Sequence, residues 1–77
     1  SLEEDQQRYF INEALKMLPA KHSLSLRLFY LEEYQINEIS QITGWTESNT
    51  KIILHRARNK MEKILTEQFN LDKKDLY

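Results

Sequence analysis

The stretch GWTESNTKIILHRARNKM, from Gly44 to Met61, decides how this chain is read. Gly44 is the only glycine in the sequence, and it falls where a helical pattern ends and a residue in left-handed conformation is needed. Thr46 follows as a candidate N-cap, with Glu47 in the first turn of a new helix, where a negative charge suits the helix dipole. The spacing predicts a helix from about Glu47 to Thr66. Advancing ~100° per residue, Thr50, Ile53, Leu54, Ala57, Met61, Ile64 and Leu65 gather on one arc. Lys51, His55, Arg58, Asn59 and Glu62 point the other way. Asn49, Arg56 and Lys63 lie on the flank, and Ile52 stands alone among polar positions. A glycine turn followed by a helix with one apolar arc and one basic face reads as the second half of a helix-turn-helix.

Working upstream, Ile36, Ile39 and Ile42 fit a two-turn helix ending at Gly44. A helix this short needs its neighbours to hold it. Before it, Glu32 to Gln35 reads as a connection, and a further helix is expected from about Ala20 to Leu31. That helix would present Leu24, Leu28 and Leu31, with Leu26 and Phe29 broadening the apolar surface. Pro19, the only proline, disfavours helix at Leu18 and suits the first turn of the next one. From Leu2 to Leu18, Tyr9, Phe10, Ala14, Leu15, Met17 and Leu18 recur at helical spacing behind an acidic start, a first helix expected to fray before Gln6. Downstream the pattern fades near Phe69.

The fold expected is therefore all-α: a small four-helix domain containing a helix-turn-helix, of the winged-helix-like DNA-binding kind but without a sheet. Residues 1–10 read as linker and start of the first helix, 11–69 as the helix-turn-helix domain, and 70–77 as a frayed tail. With 77 residues and no cysteine the chain is one domain resting on its apolar core alone. The missing cysteines are compatible with a reducing, cytoplasmic setting. No apolar run approaches the ~20 residues of a membrane span, so a soluble protein without membrane partners is expected. The chain begins at Ser1 and not at Met, which reads as a domain cut from a longer protein.

A net charge of −1 is unusual for a free-standing nucleic-acid binder. The distribution is more telling. Lys51, Arg56, Arg58, Lys60 and Lys63 face only Glu62 in their segment, whereas Glu32, Glu33, Glu38 and Glu47 crowd the segment before. Enzyme readings lack an inventory. His22 and His55 are the only histidines, and neither a ligand spacing for a metal nor a glycine-rich phosphate loop exists. No catalytic residue, cofactor or metal is expected.

Several marks together resemble the promoter-binding region 4 of bacterial RNA polymerase sigma factors of the extracytoplasmic-function (ECF) group. They are Leu18-Pro19, Glu38-Ile39, Gly44 and LHRARNKM from Leu54 to Met61, in order, and the resemblance covers roughly Ile11 to Leu65. It implies a sigma factor that directs RNA polymerase in transcription initiation, its helix-turn-helix recognising the minus-35 promoter element. It further implies the β-flap of the polymerase core as a partner and an anti-sigma factor as another. The chain departs from the family in four places. Glu33 stands where many members have glycine, Gln35 where a serine or threonine cap is common, and Ser23 and Ile53 where arginine is frequent.

The DNA-binding residues expected are Thr46, Glu47, Ser48, Lys51, Ile52, His55 and Arg56. Lys51 and His55 lie one turn apart in the half of the helix that reaches base edges in this docking mode, and both can hydrogen-bond bases. Ile52 either meets a thymine methyl or packs under the first helix. Arg56, with Thr46, Ser48 and the free N–H groups of the helix start, suits backbone phosphates. Thr46 would be a cap in any case. Arg58 and Lys60 are expected to pair with acidic residues on packed helices, Trp45 to plug the core and not to stack on a base, and Phe29, Tyr30 and Tyr34 to line the core or the polymerase contact. Two other readings stay open: the helix-turn-helix of response regulators, and a helical protein-interaction module without DNA contact.

Overall fold

The computed structural model describes residues 3–72. They form four α-helices and no strand: α1 (Glu4–Met17), α2 (Ala20–Leu26), α3 (Ile36–Thr43) and α4 (Glu47–Glu67). Leu2, at the start expected for the first helix, and residues 73–77 of the expected tail lie outside the described residues. At ~1.5 Å per residue α4 is about 31 Å long, most of the molecule's 36 Å long dimension. It is the beam against which α1, α2 and α3 all pack.

Beneath that beam lies one core. Leu15, Leu18, Leu26, Ile39, Leu54 and Ala57 are buried, with Phe29, Tyr34, Trp45, Met61 and Ile64 packed against them. The arc expected on α4 is the one that goes in: Thr50, Ile53, Leu54, Ala57 and Leu65 are buried. Thr50 is tolerated there because its hydroxyl donates to the Thr46 carbonyl at 2.8 Å.

Three local expectations are corrected. The first helix does not fray before Gln6; it begins at Glu4, where the Glu3 backbone N–H meets the Gln6 side chain and Glu4 and Asp5 suit the positive end of the dipole. The helix expected over Ala20 to Leu31 stays α-helical only to Leu26 and widens into a π-helical turn, Arg27–Leu31, in which Glu32 N–H donates to the Arg27 carbonyl at 3.0 Å. The third concerns its inner face. Ser25 and Leu26 are buried while Leu24 and Leu31 stay exposed. Ser25 can go in because it is small and its hydroxyl donates to the His22 carbonyl at 2.8 Å, which satisfies the polar atom. Elsewhere Tyr9, Met17 and Ile42, also read as apolar-face positions, are exposed, because each helix buries only a narrow stripe.

Candidate nucleic-acid interface

Gly44 closes α3 with φ 82°, its N–H donating to the Ser40 carbonyl at 2.9 Å. The turn is then tied to α3 by side chains. Thr43 Oγ1 accepts from the Trp45 N–H at 3.2 Å, and the Ser40 hydroxyl donates to the Trp45 carbonyl. Trp45 is half-buried and packs on the core, as a plug and not a stacking platform. Thr46 then caps α4, its hydroxyl accepting the Asn49 N–H at 3.0 Å. These contacts fix where α4 begins and how it is rotated.

The rotation sets what faces outward. Thr46, Glu47 and Ser48 are exposed at the head of α4. Lys51 and His55 are exposed one turn apart, and Ile52 and Arg56 form the neighbouring exposed stripe. Ile52 is 47% exposed, so it does not pack beneath α1. All seven residues named from the sequence thus lie on one end and flank of a single helix. Ile53, at a position where the family often has arginine, is 8% exposed and belongs to the core.

Two contacts of this face, and one unpartnered histidine on α2, are absent from the sequence reading. The Asn59 amide lies 3.3 Å from His55 Nε2; an amide donating there leaves the neutral ring with its proton on Nδ1, available to a partner. The i, i+4 spacing of the two residues could have shown this. Among the described residues Arg58 pairs with no carboxylate, contrary to expectation. Its Nε donates to Tyr30 Oη at 2.6 Å, and it lies over the Phe29 and Tyr30 rings. Cation–π contact takes the place of an ion pair because the π turn brings two aromatic rings, and no acid, to that point. His22, on α2, has a buried Nδ1 with no hydrogen-bond partner among the described residues. Burial pushes its imidazole below the ordinary 6.5, and the charges of Lys60 and then Arg56 push the same way.

The other departures from the family find local solutions. Gln35 begins α3 with its N–H donating to Glu38 Oε1 at 2.9 Å, so the acid three residues on supplies part of the cap. Glu33 adopts φ 58°, the left-handed conformation that a glycine would take without strain.

The family described as Sigma-70, region 4 matches residues 11–61. The chain belongs to the sigma-70 region 4 family. Region 4 is a DNA-binding domain of transcription initiation that serves promoter −35 recognition and works with RNA polymerase, and the family is not one of enzymes. The match runs from the second half of α1 through α2 and α3 into α4, and ends at Met61. No curated protein and no solved structure matches the chain significantly. Among the described residues no helix is long and apolar enough to cross a membrane.

Proposed function

We propose that this region 4 domain belongs to a sigma factor of the ECF group and reads the minus-35 element with the first half of α4 in the major groove. The observation that supports it best is the exposed stripe of Lys51 and His55, opposite the arc that packs on the core and placed by the Gly44 turn. In this pose Lys51 donates to guanine O6 and N7, His55 donates through Nδ1, Ile52 meets a thymine methyl, and Glu47 can accept from cytosine N4. Arg56 and the N–H groups of the α4 head, with Thr46 and Ser48, hold phosphates. The ECF assignment rests on LHRARNKM together with the preceding Leu18-Pro19 and Glu38-Ile39. Residues 11–69 are the functional unit.

The remaining surfaces suit protein partners. Met17, Leu24 and Leu31 are exposed apolar residues on elements other than α4, available to the polymerase β-flap and, in competition, to an anti-sigma factor. Both partners place the domain in the cytoplasm.

The test is promoter selection by the polymerase complex carrying the full-length protein. Lys51→Ala combined with His55→Ala should redirect or abolish minus-35 selection by at least about tenfold, since each good base contact is worth ~1–3 kcal/mol. Unchanged selection by the double variant sinks the assignment. A helical module without DNA contact would show no steep salt dependence, whereas duplex binding weakens in proportion to the phosphates held.

A further inference from the structure

Arg58 is the basic residue of the outward face to which the docking pose gives no task. Three of its surroundings are fixed. Nε donates to Tyr30 Oη at 2.6 Å. The guanidinium carbon lies 5.2 Å from the Phe29 ring centroid and 5.5 Å from that of Tyr30. The two rings meet edge to face, 4.9 Å apart, and so form an angled platform beneath the charge. Both come from the π-helical turn Arg27–Leu31, whose wider winding is the irregular piece of the fold.

A guanidinium has five N–H donors. Here one is used, and the two Nη groups hydrogen-bond no described residue, although the side chain is exposed. What remains outward is the planar two-pronged edge that matches a phosphate or carboxylate. No carboxylate among the described residues takes it. The Tyr30 hydroxyl, accepting from Nε, keeps its own hydrogen to donate, and Tyr30 is 54% exposed. An arginine already held on rings loses less side-chain freedom on binding than a free one.

Position then selects the ligand. Lys51, His55 and Arg58 stand at i, i+4 and i+7 on one stripe of α4. Seven residues advance ~10 Å along the axis, and the major groove is about 12 Å wide. With Lys51 at the base edges, Arg58 reaches the rim, where phosphates stand. We propose that Arg58 and Tyr30 form a preordered clamp for one backbone phosphate of the bound duplex, at the edge of the groove that Lys51 entered. The clamp rests on the docking pose above. It fixes register and leaves base preference untouched.

The experiment combines variants with promoter duplexes in which single phosphates flanking the minus-35 element are replaced, one at a time, by neutral methylphosphonates, binding being measured with the full-length protein in its polymerase complex. For the unaltered protein, one or two replacements beyond those assigned to Arg56 and the α4 head should weaken binding about tenfold. With Arg58→Gln the same replacements should have no further effect, and the salt dependence should drop by about 0.9 in log–log slope, one phosphate's share. A variant that merely loosened the fold would leave every phosphate's effect in place. Tyr30→Phe, which keeps both rings and the charge, should lower the effect of the same phosphate by a few fold, and it carries the test if Arg58→Gln fails to fold. Equal sensitivity of the Arg58→Gln and Tyr30→Phe proteins to every replacement overturns the clamp alone. If no replacement near the element weakens the unaltered protein, the docking pose itself falls, and the clamp with it.

Discussion

Two junctions flank α3, and each turns on one residue in left-handed backbone: Gly44 at φ 82° after it and Glu33 at φ 58° before it. Geometrically they are alike; chemically they are opposites. At Gly44 the conformation is unstrained, and the turn is secured by Ser40 and Thr43 onto Trp45. At Glu33 a side chain occupies a region costing roughly 1–2 kcal/mol for an L-residue. That turn is held instead by what precedes it, with the Tyr34 N–H donating to the Leu28 carbonyl at 2.9 Å at the end of the π turn. A relaxed junction sets α4, while a strained one follows the π turn whose aromatic pair holds Arg58. The local penalty at Glu33 must be offset by the packing of the rest of the fold.

The contrast can be broken most severely from the middle. Ile39, fully buried and the one buried residue of α3, ties both junctions to the core. Ile39→Ala should cost ~2–5 kcal/mol in chemical denaturation, and a loss below about 1 kcal/mol would mean that α3 is held by its turns. Next comes Gly44→Ala. A Cβ there meets nothing within 4 Å, so only the backbone penalty remains, about 1–2 kcal/mol. The reciprocal change, Glu33→Gly, should act with the opposite sign and more weakly, a gain of at most ~1 kcal/mol, because glycine also frees the unfolded chain. Two losses, or two gains, from this pair would show that the junctions are not the counterparts their dihedrals make them.

The smallest effect concerns pH and lies on the α2 side. His22 has its folded-state value lowered below 6.5 by burial and by Lys60 and Arg56. Below 6.5 the unfolded chain therefore binds a proton that the folded one resists. Stability should be level above pH 6.5 and decline as pH falls through it, a slope that His22→Gln should flatten in denaturation curves taken across that range. An unflattened curve would assign the decline to other groups.

The sequence was most legible where one backbone requirement met one residue type. Gly44, Thr46 and the alternation of arcs on α4 follow from periodicity and capping, and α4 ends within a residue of the expected Thr66. The seven candidate contact residues all proved exposed for the same reason, since burying one arc of a helix exposes the other. Around α2 the pattern misled. Leu24 and Leu31 suggested the inner face, but Ser25 takes the place against the core. A leucine stripe records where apolar surface exists, without recording which neighbour arrives to cover it. The Tyr30–Arg58 contact joins residues 28 apart, beyond any helical repeat.

By itself, then, the sequence determined the all-α class, the break at Gly44 and the outward set from Thr46 to Arg56, because helix termini and helix faces are local consequences of backbone geometry and solubility. Only the tertiary structure decided the π turn, the left-handed Glu33, the burial of Ser25 and the seat of Arg58 on two rings. These depend on how closely α2 can approach α4. That distance is set by the volumes of side chains from both helices at once, which neither helix specifies alone.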